Sequence, residues 1–145
     1  MDALYKTTEE VLRLVEQYTG RPVGDAVAPH EFSGRQPKAE DYPYSVVYEE
    51  EIPDWRMSGP LTGQQEDKQL MYRVVSVGLS RQQSSALSSK IRQNLKKEDF
   101  SLQGFVVQEI LFNELGRMFR NTDIRPSVFS TMDVYQIWVT PTGDD

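Results

Sequence analysis

The chain has 145 residues, with 16 Lys and Arg against 22 Asp and Glu, and no cysteine. A net charge of −6 and a pI near 4.9 argue against tight general binding to nucleic acid, which depends on neutralising phosphates, and the lack of cysteine excludes disulfides, thiolate metal sites and cysteine nucleophiles. No apolar run approaches the ~20 residues that span a bilayer, and the N-terminus MDALYKTTEEV is acidic where a signal peptide is basic, so a soluble, non-exported single domain is expected.

Residues 3–18 predict a first helix, with Leu4, Val11, Leu12, Val15 and Tyr18 on one side and Lys6, Glu9, Arg13, Glu16 and Gln17 largely on the other. Thr7 and Glu10 stand at capping-box spacing, which offers a second start at Thr7 with the first six residues as a loose arm; Gly20 is a fitting stop. From 19 to 41 the chain is Gly, Pro, Asp and short polar residues without a period, the pattern of a long irregular connection. In 42–50, Tyr44, Val46 and Tyr48 alternate with Ser45, Val47 and Glu49 as in a half-buried strand. The segment 52–68 carries two Pro, two Gly and Trp55, and reads as an exposed loop or loosely paired hairpin.

The run 70–77 is rich in β-branched residues and predicts a second strand. At Gly78 the pattern turns helical: Leu87, Ile91 and Leu95 lie one turn apart, and Ser80 with Gln83 forms a capping box. Residues 105–112 suit a third strand that 116–120 continue beyond a bulge, although Val106, Ile110 and Leu115 would also fit a helix. Residues 134–140 suit a fourth, with Tyr135, Ile137 and Val139 on one face and Val134, Gln136 and Trp138 on the other. Pro141 closes it, and 141–145 form an acidic tail expected to be mobile. The expected fold is α+β, a two-layer sandwich in which a four-stranded, mostly antiparallel sheet is packed with helices in the order α-β-β-α-β-β, over a single domain 1–145. Val134 and Trp138 fall on the sheet face away from Tyr135, to be covered by the first helix or by another subunit.

Candidate chemistry is sparse. His30 is the one histidine, and no G-x-S-x-G elbow or second H-E-x-x-H histidine accompanies it. Asp54, Glu66 and Lys68 match the letters of a PD-(D/E)xK nuclease, which binds Mg²⁺ through its carboxylates, but they bracket a Gly/Pro loop that would hold them loosely. Residues 58–63 hold two glycines without the G-K-[ST] that cradles phosphate. Arg81, Lys90, Arg92, Lys96 and Lys97 make the second helix basic, which complements its dipole and also suits an acidic neighbour, including another copy of this chain. Ser84, Ser85, Ser88 and Ser89 give it a small-residue surface, fit either for close packing on its own sheet or for a neighbouring subunit. No cofactor or metal site is expected, and no enzyme activity.

The strings Tyr44-Ser45-Val46-Val47-Tyr48, the Ser58-Gly59-Pro60 loop with Glu66-Asp67, Tyr72 through Gln83 (YRVVSVGLSRQQ), Lys90-Ile91-Arg92, Arg125-Pro126-Ser127-Val128-Phe129-Ser130 and Asp133 through Thr140 (DVYQIWVT) together resemble the small tail terminator proteins of long-tailed actinobacterial phages, over about residues 42–140. Ser84, Ser85 and Ser88 depart from the family's usual alanine or bulkier residues, and 19–41 has no counterpart in it. The resemblance implies a virion structural protein: a ring, typically of six copies, at the head-proximal end of the tail tube. Such a ring ends tube polymerisation, joins the tail to the head connector and leaves a channel that DNA traverses without tight binding. It implies assembly in the host cytoplasm and residence in the tail neck. Under this reading Trp55, Arg56, Met57 and Leu61 contact the tube or connector, although Trp55 folding back on its own sheet is the plainer alternative. Arg81, Ser84, Ser88, Arg92 and Trp138 meet a neighbouring copy, and Glu49, Glu50, Glu51, Glu66 and Asp67 line the channel. A head-side stopper or adaptor is the nearest alternative role; the Mg²⁺-dependent nuclease is the alternative of a different class.

Overall fold

A computed structural model describes residues 3–29, 38–51, 68–97, 101–102, 105–122 and 127–141. Two helices, α1 (Ala3–Thr19) and α2 (Arg81–Leu95), pack on a mixed six-stranded sheet. Its strands are β1 (Val23–Asp25), β2 (Tyr44–Glu51), β3 (Lys68–Gly78), β4 (Ser101–Leu102), β5 (Phe105–Asn121) and β6 (Val128–Pro141), in spatial order β1-β2-β3-β6-β5-β4. The class is α+β as expected, but the expected order α-β-β-α-β-β is interrupted by one short strand after α1 and another after α2. The four-stranded sheet is corrected by two short edge strands: β1, which pairs parallel to β2 inside the segment read as wholly irregular, and the two-residue β4 beside β5. Three residues are too few for a period-2 signal, so β1 exists by virtue of its neighbour and not of its own pattern.

Each long element follows from its side chains. In α1, Val11, Leu14 and Val15 are fully buried, and the helix stops where Gly20 takes φ +66° and donates its N–H to Glu16 O at 2.8 Å. The helix runs through Thr7, which is buried within it, so the capping-box spelling at Thr7 does not mark a start. At α2 the expected cap is present: Ser80 Oγ accepts from Gln83 N at 3.1 Å, while Gln83 Oε1 accepts from Leu79 N at 2.7 Å. β5 is one strand with register shifts after Val107 and Glu114, which joins the two pieces read on either side of a bulge.

Both helices cover the same sheet face. The core there is Val11, Leu14 and Val15 of α1 and Ile91 and Leu95 of α2 against Val47, Leu70, Tyr72, Val74, Tyr135, Ile137 and Val139. α1 lies over β1 and β2, and α2 over β3, β6 and β5. β2 therefore turns Val47, not Tyr44 and Val46, toward the helices; the latter two join Tyr42, Val77 and Val128 in a second cluster on the opposite face, with Ala28 and Leu79 packed on it. Arg21 ties this corner together, donating to Pro43 O at 2.9 Å and to Glu40 O and Tyr42 O at 3.1 Å each.

Candidate assembly surface

The inward side of α2 is polar as well as apolar. Ser84 and Ser88, one turn apart, are buried against the sheet: Ser84 Oγ donates to Ser76 O at 2.8 Å and shares a hydrogen bond of 2.7 Å with Thr131 Oγ1, and Ser88 Oγ donates to Asp133 Oδ2. One turn further on, Arg92 Nη2 donates to Ser88 Oγ at 3.4 Å and lies 3.6 Å from Asp133 Oδ1. Asp133 is only 2% exposed, so its carboxylate depends on these donors for what water would otherwise supply. Beside it, burial first and the Asp133 carboxylate second push the Tyr135 phenol well above its ordinary range, with Arg92 pulling weakly the other way. Ser84 and Ser88 thus spend their hydroxyls within the protomer and Arg92 turns Nη2 to Ser88 and Asp133, while Ser85, exposed, and Ser89, half-buried, remain on the outer side. The i, i+4, i+8 spacing was visible in the sequence; Asp133, some 40 residues away, was not.

At the N-terminal end of α2, exposed Arg81 stands with its guanidinium carbon 5.9 Å from the centroid of the Phe129 ring on β6. Arg120 on β5, also exposed and paired in register with Phe129, stands 5.5 Å from the same ring. Neither Phe129 nor Arg120 was a sequence candidate, because neither belongs to a local pattern.

The sheet face away from the helices carries Trp138 and Val75, both half-buried, exposed Arg73, and Tyr48, which keeps 41% of its surface in solvent. α1 packs on the other face, so of the two covers foreseen for Trp138 the first helix is not the one. Tyr48, Glu49, Arg73, Val75 and Met132 line a hollow of about 280 Å³. Glu49 itself is exposed and accepts from Thr8 Oγ1 of α1, on the helix side, and Thr8 Oγ1 also meets Tyr72 OH at 2.9 Å. The backbones of Glu50 and Glu51 pair with Met71 and Leu70 of β3. His30, Asp54, Trp55, Arg56, Met57, Leu61, Glu66, Asp67 and the tail 142–145 lie outside the described residues, as do the side chains of Glu50 and Glu51.

Among the described residues no group of three or more potential metal ligands occurs, and no helix is long and apolar enough to cross a membrane. The side chains brought together on the outside are aromatic, apolar and cationic, with Glu49 the anionic member beside the hollow, a set suited to packing and charge recognition. Compared with protein-family models and with curated proteins, the chain matches none.

Proposed function

We propose that this chain is a structural subunit of a phage tail neck, a tail terminator that closes into a ring on the tail tube, ends its polymerisation and receives the head connector. It performs no catalysis in this role, and its acidic balance lets DNA pass without tight binding. The observation that carries the reading is the one-sided architecture: both helices lie on one face, and the other keeps Tyr48, Arg73, Val75 and Trp138 for another protein of the assembly. The resembling strings support it by their placement. Residues 44–48 are on β2, 72–83 run from β3 into α2 and 133–140 are on β6; β2, β3 and β6 are adjacent in the sheet, with α2 on top of them.

Purified protein should behave as a closed ring in light scattering and negative-stain microscopy. Trp55→Ala with Leu61→Ala should leave the ring folded yet give overlong or headless tails when it replaces the wild type during assembly. Tails of normal length that still join heads sink the terminator role. Rings that bind DNA-filled heads and ignore tail tubes place the protein on the head side instead.

A further inference from the structure

Charge is sorted along this chain. Residues 40–67 hold eight Asp and Glu against one Arg, while 68–97 hold seven Lys and Arg and no Asp or Glu. The first segment contains β2; the second is β3 and α2. β1 and β2 form one side of the sheet and β6, β5 and β4 the other, and α2, which carries Arg81, Lys90 and Arg92 and no acid, lies over β3, β6 and β5. On the first side Asp25, at the end of β1, and Glu40, in the turn before β2, are exposed; on the second, Arg81 and Arg120 are.

The two arginines are held in an arrangement that calls for an anion. Each gains from the Phe129 ring, 5.9 and 5.5 Å away, but two cations on one ring repel each other, and the N-terminus of α2 adds partial positive charge beside Arg81. Among the described residues neither guanidinium has a carboxylate partner. A ring-fixed guanidinium is preorganised for the planar, bidentate geometry that a carboxylate offers.

We infer that Arg81, Phe129 and Arg120 receive the carboxylates of Asp25 and Glu40 from a second copy of this chain, so that copies meet head to tail. β1, which ends at Asp25, and β5, which carries Arg120, are separated in the sheet by β2, β3 and β6, and among the described residues no ion pair joins the two patches within a copy. A contact between two different patches repeats, and closes as a ring or runs on as a filament. This inference rests on the ring reading and names the contact that would build it. Duplex DNA is the other anion such a cluster could take.

The test is charge reversal, read as mass by light scattering across a salt series. Wild-type association should weaken as salt rises, and Arg81→Glu with Arg120→Glu, or Asp25→Lys with Glu40→Lys, should each weaken it about tenfold or more. An equimolar mixture of the two variants, and the single chain carrying all four changes, should associate again, which misfolding cannot mimic. Reversed variants that assemble like the wild type overturn the charge contact and leave the ring standing. A wild type that stays monomeric at every concentration and salt removes both. Unchanged mass together with lost binding of a labelled DNA duplex in the arginine variant overturns the contact and assigns the cations to phosphate.

Discussion

Asp133 shows how much of this fold is fixed by a few polar side chains beneath α2. Its carboxylate is 2% exposed and takes a hydrogen bond from Ser88, while Arg92, with about a third of its side chain in solvent, stands 3.6 Å away. Asp133→Ala removes the acceptor and leaves a buried hydroxyl and a half-buried cation; a loss of about 2–3 kcal/mol in urea unfolding is expected. Arg92→Ala should cost less, about 1–2 kcal/mol, because Ser88 still donates to the carboxylate left buried. The reverse order would mean that the ion pair and not the Ser88 bond dominates. Tyr135 tests the same pocket by pH. Its folded-state phenol ionises well above its ordinary value of 10.0, whereas in the unfolded chain it ionises near that value. Above about pH 10 the unfolded state therefore binds fewer protons than the folded one, so this group's contribution is fully present below that pH and is lost as pH rises further. Tyr42, raised by burial and by Asp41, acts in the same direction. Tyr135→Phe should make the alkaline fall of the urea midpoint shallower, from about pH 10 upward, without abolishing it; an unchanged slope would remove Tyr135 from the account.

At the scale of elements the decisive joint is where β3 ends and α2 begins. A Cβ at Gly78 would lie 2.6 Å from Gln83 Cβ and 2.9 Å from Ser84 N, so the strand can pass this close to the first turn only with glycine there. Gly78→Ala must push the helix off the sheet, for about 1–3 kcal/mol, more than the ~1 kcal/mol expected for removing the cap with Ser80→Ala. Equal thermal shifts for the two variants would show that the close approach is not what holds the joint. This junction was legible in advance because cap, glycine and change of period lie within a few residues. The faces of β2 were not: Tyr44, Val46 and Tyr48 make the stronger alternating pattern, yet it is Val47 that meets the helices, since periodicity says which residues share a face and not which layer lies upon it. Leu14 escaped the reading of α1 although it is 1% exposed, and Thr7, spelled as a cap, is interior helix. The same limit applied at the surface, where Arg81 was visible on its helix but its ring, Phe129, and its second cation, Arg120, come from strands joined only by the fold.

For the whole molecule the question is what covers the second face of the sheet. With both helices on one side, the other side has no helix on it, and among the described residues it presents two aromatic residues, Tyr48 of β2 and Trp138 of β6, with Val75 of β3 and Met132 of β6. Burial of an aromatic at an interface is among the larger single contributions to association, because the area is large and few rotors are frozen. Trp138 offers a direct readout, since the chain has only two tryptophans and Trp55→Phe leaves Trp138 as the sole one. If assembly seats another protein surface on this face, Trp138 passes from half-buried to dry. Its emission should then move to shorter wavelength, and its quenching by acrylamide should drop, in step with the rise in mass as concentration increases. Tyr48→Asp, at a position already 41% in solvent, should leave the monomer's stability within about 0.5 kcal/mol and blunt both the mass and the emission change. Emission that stays constant while the mass rises would mean that the copies meet at their edges alone; under the proposed neck role the same shift should then appear only when tail tubes or connectors are added to preassembled rings.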